Sequence, residues 1–146
     1  MGTFEFWQRW LCACSVFFAI FGIAVAVAGD SFVFSFYNLQ MTRHFWGGDL
    51  FPENVREFKA FMFGPLGGTM TGSYILQAYI AREPFARREP WAWNAIAFAL
   101  IAWFIVDSSV CAWHGAWFNI VIINLFALLM NGLPLLFTRR YFRAAP

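Results

Sequence analysis

Charge is what this sequence has least of. Only 12% of its 146 residues are Asp, Glu, Lys or Arg, about half the share of roughly 25% usual in soluble domains. The net charge of +2 gives no footing for a nucleic-acid partner, which a basic surface would announce. Cysteine occurs three times and histidine twice. Cys12 and Cys14 stand two apart on one helix, point to different faces and form no CxxC pair. No Ser-His-Asp or other nucleophile arrangement is present. The stretch "GPLGGTMTG" (residues 64–72) lacks the Lys-Ser/Thr that a phosphate-binding loop needs. It also lacks the βαβ setting of a dinucleotide fingerprint. These absences turn the reading away from an enzyme.

What fills the space is apolar. Hydrophobic residues make up 61% of the chain and the mean hydropathy is +0.59. They fall in long blocks, and a block of roughly 20 is what a bilayer-spanning helix needs. Barrel strands would be about ten residues long and alternate in polarity. The expected fold is therefore all-α: one polytopic domain of four transmembrane helices in an antiparallel bundle. The spans fall at about 8–29, 54–81, 91–113 and 116–137, with an outer interfacial loop at 30–53. The first block exceeds the roughly 7–15 apolar residues of a signal peptide, so it reads as a retained helix.

Four spans put both termini on one side. Arg9, Arg82, Arg87, Arg88, Arg139, Arg140 and Arg143 then share a face, seven of the ten basic residues. Positive residues favour the cytoplasm, so both termini are expected there. Arg43, Arg56 and Lys59 face outward, offset by Asp30, Asp49, Glu53 and Glu57. The inner loop repeats Arg-Glu-Pro at 82–84 and 88–90. It reads as a rigid, charged turn, with an anionic-lipid headgroup site as the alternative.

Along a helix, Ala60, Gly64, Gly68 and Gly72 form a small-residue stripe that stops at Leu76. Such a stripe lets two helix backbones approach closely. Pro65 removes a helical hydrogen bond, so the second span is expected to be continuous but kinked from near Pro52, the alternative being a broken helix. Asp49 is the expected cap, with Glu53 and Glu57 near the positive end of the helix dipole. Within the outer loop, "FVFSFY" suits the headgroup zone, and a lid over a lipid-accessible cavity is its functional version.

Chemistry concentrates in "DSSVCAWHG". Asp107, Cys111 and His114 share one helical face, Gly115 ends the helix, and the hairpin brings Asn119 close. Ser108 and Ser109 add hydroxyls. An ionisable residue in a span marks a candidate functional site. Asp107, His114 and Asn119 are the candidate ligand-binding residues. A metal or haem site using Asp107, Cys111, His114 and His44 is the alternative. The plain structural alternative is that Asp107 locks the hairpin through Asn119 or the serines. A proton relay through Asp107 lacks partners crossing the bilayer. Gln77, Asn124 and Asn131 read as interhelical glue, Asn124 and Asn131 sharing a face, and Pro134 bends the end of the last span.

Aromatic residues reach 22%, with 20 Phe and eight Trp. Several Trp fit the interfacial belts. The excess Phe fits either packing or a cavity for a lipid, quinone or carotenoid. Four spans, a longer first loop and a glycine-rich second span resemble the layout of small bacterial DoxX-like membrane proteins. That resemblance implies a four-helix bundle in a bacterial inner membrane and carries over no catalytic residue. The expectation is a non-enzymatic subunit, a homo-oligomer or part of a larger membrane complex, holding a lipid or other hydrophobic ligand near its outer end. A metal or redox protein and a small oligomeric transporter are the rivals.

Overall fold

A computed structural model describes residues 2–142, so Arg143, counted above with the cytoplasmic arginines, lies outside the described residues. The chain is helical, with no strand among those residues. Helix α1 is Thr3–Ala28, α2 is Ser35–Trp46 and α3 is Glu53–Arg82. Helix α4 is Pro90–Trp113. A short α5 (Trp117–Asn119) runs through one π-helical turn (Ile120–Asn124) into α6 (Leu125–Thr138).

Three segments are long and apolar enough to cross a membrane: Thr3–Ala28, Pro90–Trp113 and Trp117–Tyr141. Helix α3 has the length, at 30 residues. Its first turns carry Glu53, Arg56, Glu57 and Lys59, and Gly, Thr, Ser and Gln dilute the rest. The surface is apolar and the interior polar in places, as lipid requires. Val27 is 79% and Phe98 72% exposed, while Asn124 and Asn131 are fully buried.

Residues 30–53, expected as a loop, hold a helix. After a 3-10 turn at Phe32–Phe34, α2 runs for 12 residues and stops at Gly47, whose φ of +69° is a left-handed cap. Helix α3 is continuous through Pro65, which decides against a broken second helix. Asp49, expected to cap it, instead accepts a 2.8 Å bond from Arg43 Nε. Pro90 starts α4, where a missing N–H costs nothing. Gly115, at φ +67°, ends it one residue beyond His114.

The chain divides into two compact units, Met1–Val16 with Ile75–Pro146, and Phe17–Tyr74. The first has a core of Leu11, Ala81, Phe85, Ile96 and Leu135. At one end of it Phe85 lies 4.6 Å from Phe142 and 6.0 Å from Phe4, centroid to centroid. Arg88, a non-glycine residue at φ 61°, lays its guanidinium 4.8 Å over Phe4. In the second unit α1 and α3 meet at Gly22 and Gly67. A Cβ on Gly67 would collide with the Gly22 carbonyl and come within 2.7 Å of the Ala26 nitrogen. Thr71 Oγ1 closes the contact by donating to the Ala19 carbonyl at 3.2 Å.

Candidate functional site

The polar hairpin lies in the first unit. Asp107 and Cys111 stand one turn apart on α4, with Cys111 Sγ 3.9 Å from Asp107 Oδ1. Asn119 Nδ2 reaches three acceptors: Cys111 Sγ at 3.1 Å, Asn124 Oδ1 at 3.3 Å and Asp107 Oδ2 at 3.5 Å. An amide nitrogen has two protons, so the three share them. Asn124 Nδ2 donates onward to Ser108 Oγ at 3.0 Å.

The π turn makes this possible. Leu125 N–H bonds the Ile120 carbonyl five residues back. The wider turn brings residues five apart onto one face, so Asn119 and Asn124 meet. On a regular α-helix they would point about 140° apart. Single π turns recur at functional sites. Asn124 reaches Ser108 on α4 and Asn131 receives a bond from Gln77 on α3, the interhelical role expected of both.

Asp107, Cys111 and Asn119 are thus brought together. His114 caps α4 and is exposed. With Ser109, Val110 and Trp113 it lines a shallow, open hollow of about 260 Å³. His44, on α2, belongs to the other unit, its ring 4.6 Å from that of Phe45. Among the described residues no three His, Cys, Asp or Glu side chains are grouped to hold a metal. Locally, Asn119 is directed at the Cys111 sulfur, and His114 lies beyond the end of α4.

Gln77, Asn131 and Ser15 form a second polar network in the same unit. Gln77 Nε2 donates to Asn131 Oδ1 at 2.8 Å and to Ser15 Oγ at 3.0 Å, tying α1, α3 and α6. Ser15 donates to Leu11 and Asn131 to Ala127, both main-chain carbonyls. The Gln77 amide nitrogen, the Asn131 amide and the Ser15 hydroxyl are each engaged, as hydrocarbon surroundings favour.

In the turn before α4, Arg87 Nε lies 2.7 Å from Glu89 Oε1 and its Nη1 lies 3.3 Å from Glu83. Trp91 Nε1 donates to Glu89 Oε2 at 2.6 Å. The Arg87 hydrogen bond, then that from Trp91, holds the Glu89 carboxyl below its usual range. The same pairing raises Arg87. Both glutamates of the repeated Arg-Glu-Pro motif are thus paired with Arg87, which stands between the two triplets.

The small-residue stripe lies elsewhere than the internal contact. Among the described residues, a methyl group added at Gly64, Gly68 or Gly72 would meet nothing beyond its own helix within 4 Å, and Ala60 is exposed.

One feature of the second unit escaped sequence reasoning. Lys59 Nζ pairs with the Asp30 carboxylate and donates to the Gly29 carbonyl at 3.1 Å. Asn38 Nδ2 donates to the same carbonyl at 2.8 Å. Lys59 and Asn38 thereby cap the end of α1. The signal was in the composition: Lys59 is the only lysine, against nine arginines.

By fold this is an all-helical chain with three helices long and apolar enough for a membrane. No protein-family model, no curated protein and no solved structure matches it.

Proposed function

We propose that the protein is a non-enzymatic subunit of a bacterial inner membrane, crossing it four times with both termini cytoplasmic. It associates with further copies, or with a larger complex, through the α3 stripe of Ala60, Gly64, Gly68 and Gly72. A lipid or other hydrophobic ligand sits near its outer end, against Asp107, His114 and Asn119. The observation that carries the reading is the outward stripe. Gly67 already serves the close approach to Gly22, so the remaining glycines leave a smooth, unfilled face on a helix too polar to favour bare lipid. Small residues at this spacing are the main route to tight helix contacts in a bilayer.

Four spans are supported by the contact of Phe4, Phe85 and Phe142. The start of α1, the α3–α4 turn and Phe142, beyond α6, gather at one place, which an even number of crossings produces. The arginines clustered there favour the cytoplasm. The ligand reading rests on the hairpin, where a carboxylate and an amide meet, and on the separate open hollow that His114 lines at the end of α4.

The ligand reading is tested by native mass spectrometry of protein extracted in mild detergent. A retained adduct on the wild type that disappears in Asp107→Ala and His114→Ala, both still folded, is the expected result. An adduct unaffected by either change removes these residues from the site.

A further inference from the structure

Lys59 offers more than a helix cap. Its side chain is 5% exposed, on the second turn of α3. An ammonium has three N–H donors, and two are used, by Asp30 and the Gly29 carbonyl. Among the described residues no third acceptor is present. The rings of Phe51 and Phe63 flank Nζ at 4.9 and 4.8 Å, which suits a cation but satisfies no hydrogen bond.

The same side chain forms part of the wall of a cleft of about 440 Å³ between α2 and the first half of α3. Sites for small ligands run from roughly 300 to 1,000 Å³. Trp46, Phe51, Phe58, Met62 and Phe63 supply most of the wall, and Asn54 is the one polar neighbour of Lys59 in it. Among the described residues no carboxylate lines the cleft. Phe58, Met62 and Trp46 are themselves exposed at its rim, so the way in is apolar.

We propose that this cleft binds a long-chain fatty acid, the carboxylate taking the third N–H of Lys59 and the chain lying along the aromatic and methionine wall. A buried ammonium donor without an acceptor is costly, and an anionic oxygen relieves that cost. A cationic ligand would meet Lys59 as a like charge. A phosphate would bring more charge and more acceptor oxygens than the one remaining N–H of Lys59 can meet, whereas a carboxylate needs only that one. The site lies wholly in the Phe17–Tyr74 unit and does not depend on the Asp107 hairpin.

The probes are 9,10-dibromostearate and the matching dibrominated stearyl alcohol, added to the protein in lipid nanodiscs at a pH where the acid is ionised. Bromine quenches nearby tryptophan, and Trp46→Phe identifies the share of the signal due to the cleft. The acid is expected to bind about tenfold more tightly than the alcohol, the worth of one charge-assisted hydrogen bond. Lys59→Met should erase that preference. Asp30→Asn, which frees Lys59 of its competitor, should keep or enlarge it, and serves if Lys59→Met fails to fold. Asp107→Ala should leave it unchanged. Equal binding of acid and alcohol overturns the proposal, as does quenching indifferent to Trp46→Phe, a preference that survives Lys59→Met, one that falls in Asp30→Asn, or one lost in Asp107→Ala.

Discussion

Trp10 answers a vacancy that Pro134 creates. Pro134 has no N–H, so the Met130 carbonyl four residues earlier lacks its helical partner, and the Trp10 indole N–H donates to that carbonyl at 3.0 Å. A proline that a soluble helix would tolerate poorly becomes a bond between α1 and α6. Trp10→Phe is expected to lower stability by about 1–3 kcal/mol, the cost of a buried acceptor left unmade. In a Pro134→Ala background the N–H returns and the same change should cost less. Thermal unfolding in detergent across this double-mutant cycle measures the coupling.

Gln77 gives a second cycle. Removing its amide in Gln77→Leu strands the oxygen of Asn131 and takes one donor from Ser15, which keeps its bond to Leu11, with an expected loss of about 1–2 kcal/mol. Asn131→Leu on top of it should cost little more, because both ends of the bond are then apolar. Additive losses in unfolding experiments would show that the two side chains act independently.

The glycines of α3 separate by one position. Gly67→Ala places a methyl against backbone atoms of α1 and should destabilise by about 2 kcal/mol or more. Gly68→Ala meets open space and removes a flexible residue from a helix, so the isolated chain should gain up to about 1 kcal/mol. Melting temperatures of the two variants, compared with wild type, check the opposite signs.

Arg88 holds a left-handed backbone while its guanidinium covers Phe4 and, at 5.4 Å, Tyr141. Either truncation loses the ring contact, but glycine also relieves the strained φ. Arg88→Ala should therefore be less stable than Arg88→Gly by about 1 kcal/mol, as read by chemical denaturation.

The Glu89 turn predicts a pH effect of definite sign. Its folded pKa is lowered, so its contribution is complete above the ordinary carboxylate range. It is lost as pH falls through that range to the lowered folded value. Glu89→Gln should remove this acid step, and salt should weaken it, because the pair is exposed. The Trp91 side-chain N–H resonance, followed through an acid titration, reports the bond directly.

How much of this was legible in the sequence follows from what each feature depends on. Long apolar runs, the Gly115 stop and the meeting of Asp107 with Asn119 are local consequences of composition and hairpin geometry, and they could be read. Helix α2 could not, because its mixed, aromatic sequence has no clear period. The π turn escaped for a similar reason: spacing rules assume 3.6 residues per turn, and one wider turn re-aims Asn124. The pairing of Lys59 with Asp30, 29 residues apart in sequence, depends on where α1 ends against α3. Gly67 was hidden among its neighbours because glycine spacing shows a stripe but not which face meets a partner.

The most direct test of the central claim is the mass of the detergent-extracted protein, wild type against Gly68→Leu, under native conditions. The account predicts an oligomer for the wild type and a folded monomer for the variant. A wild-type monomer, or an oligomer that Gly68→Leu leaves intact, would contradict the stripe as a subunit contact.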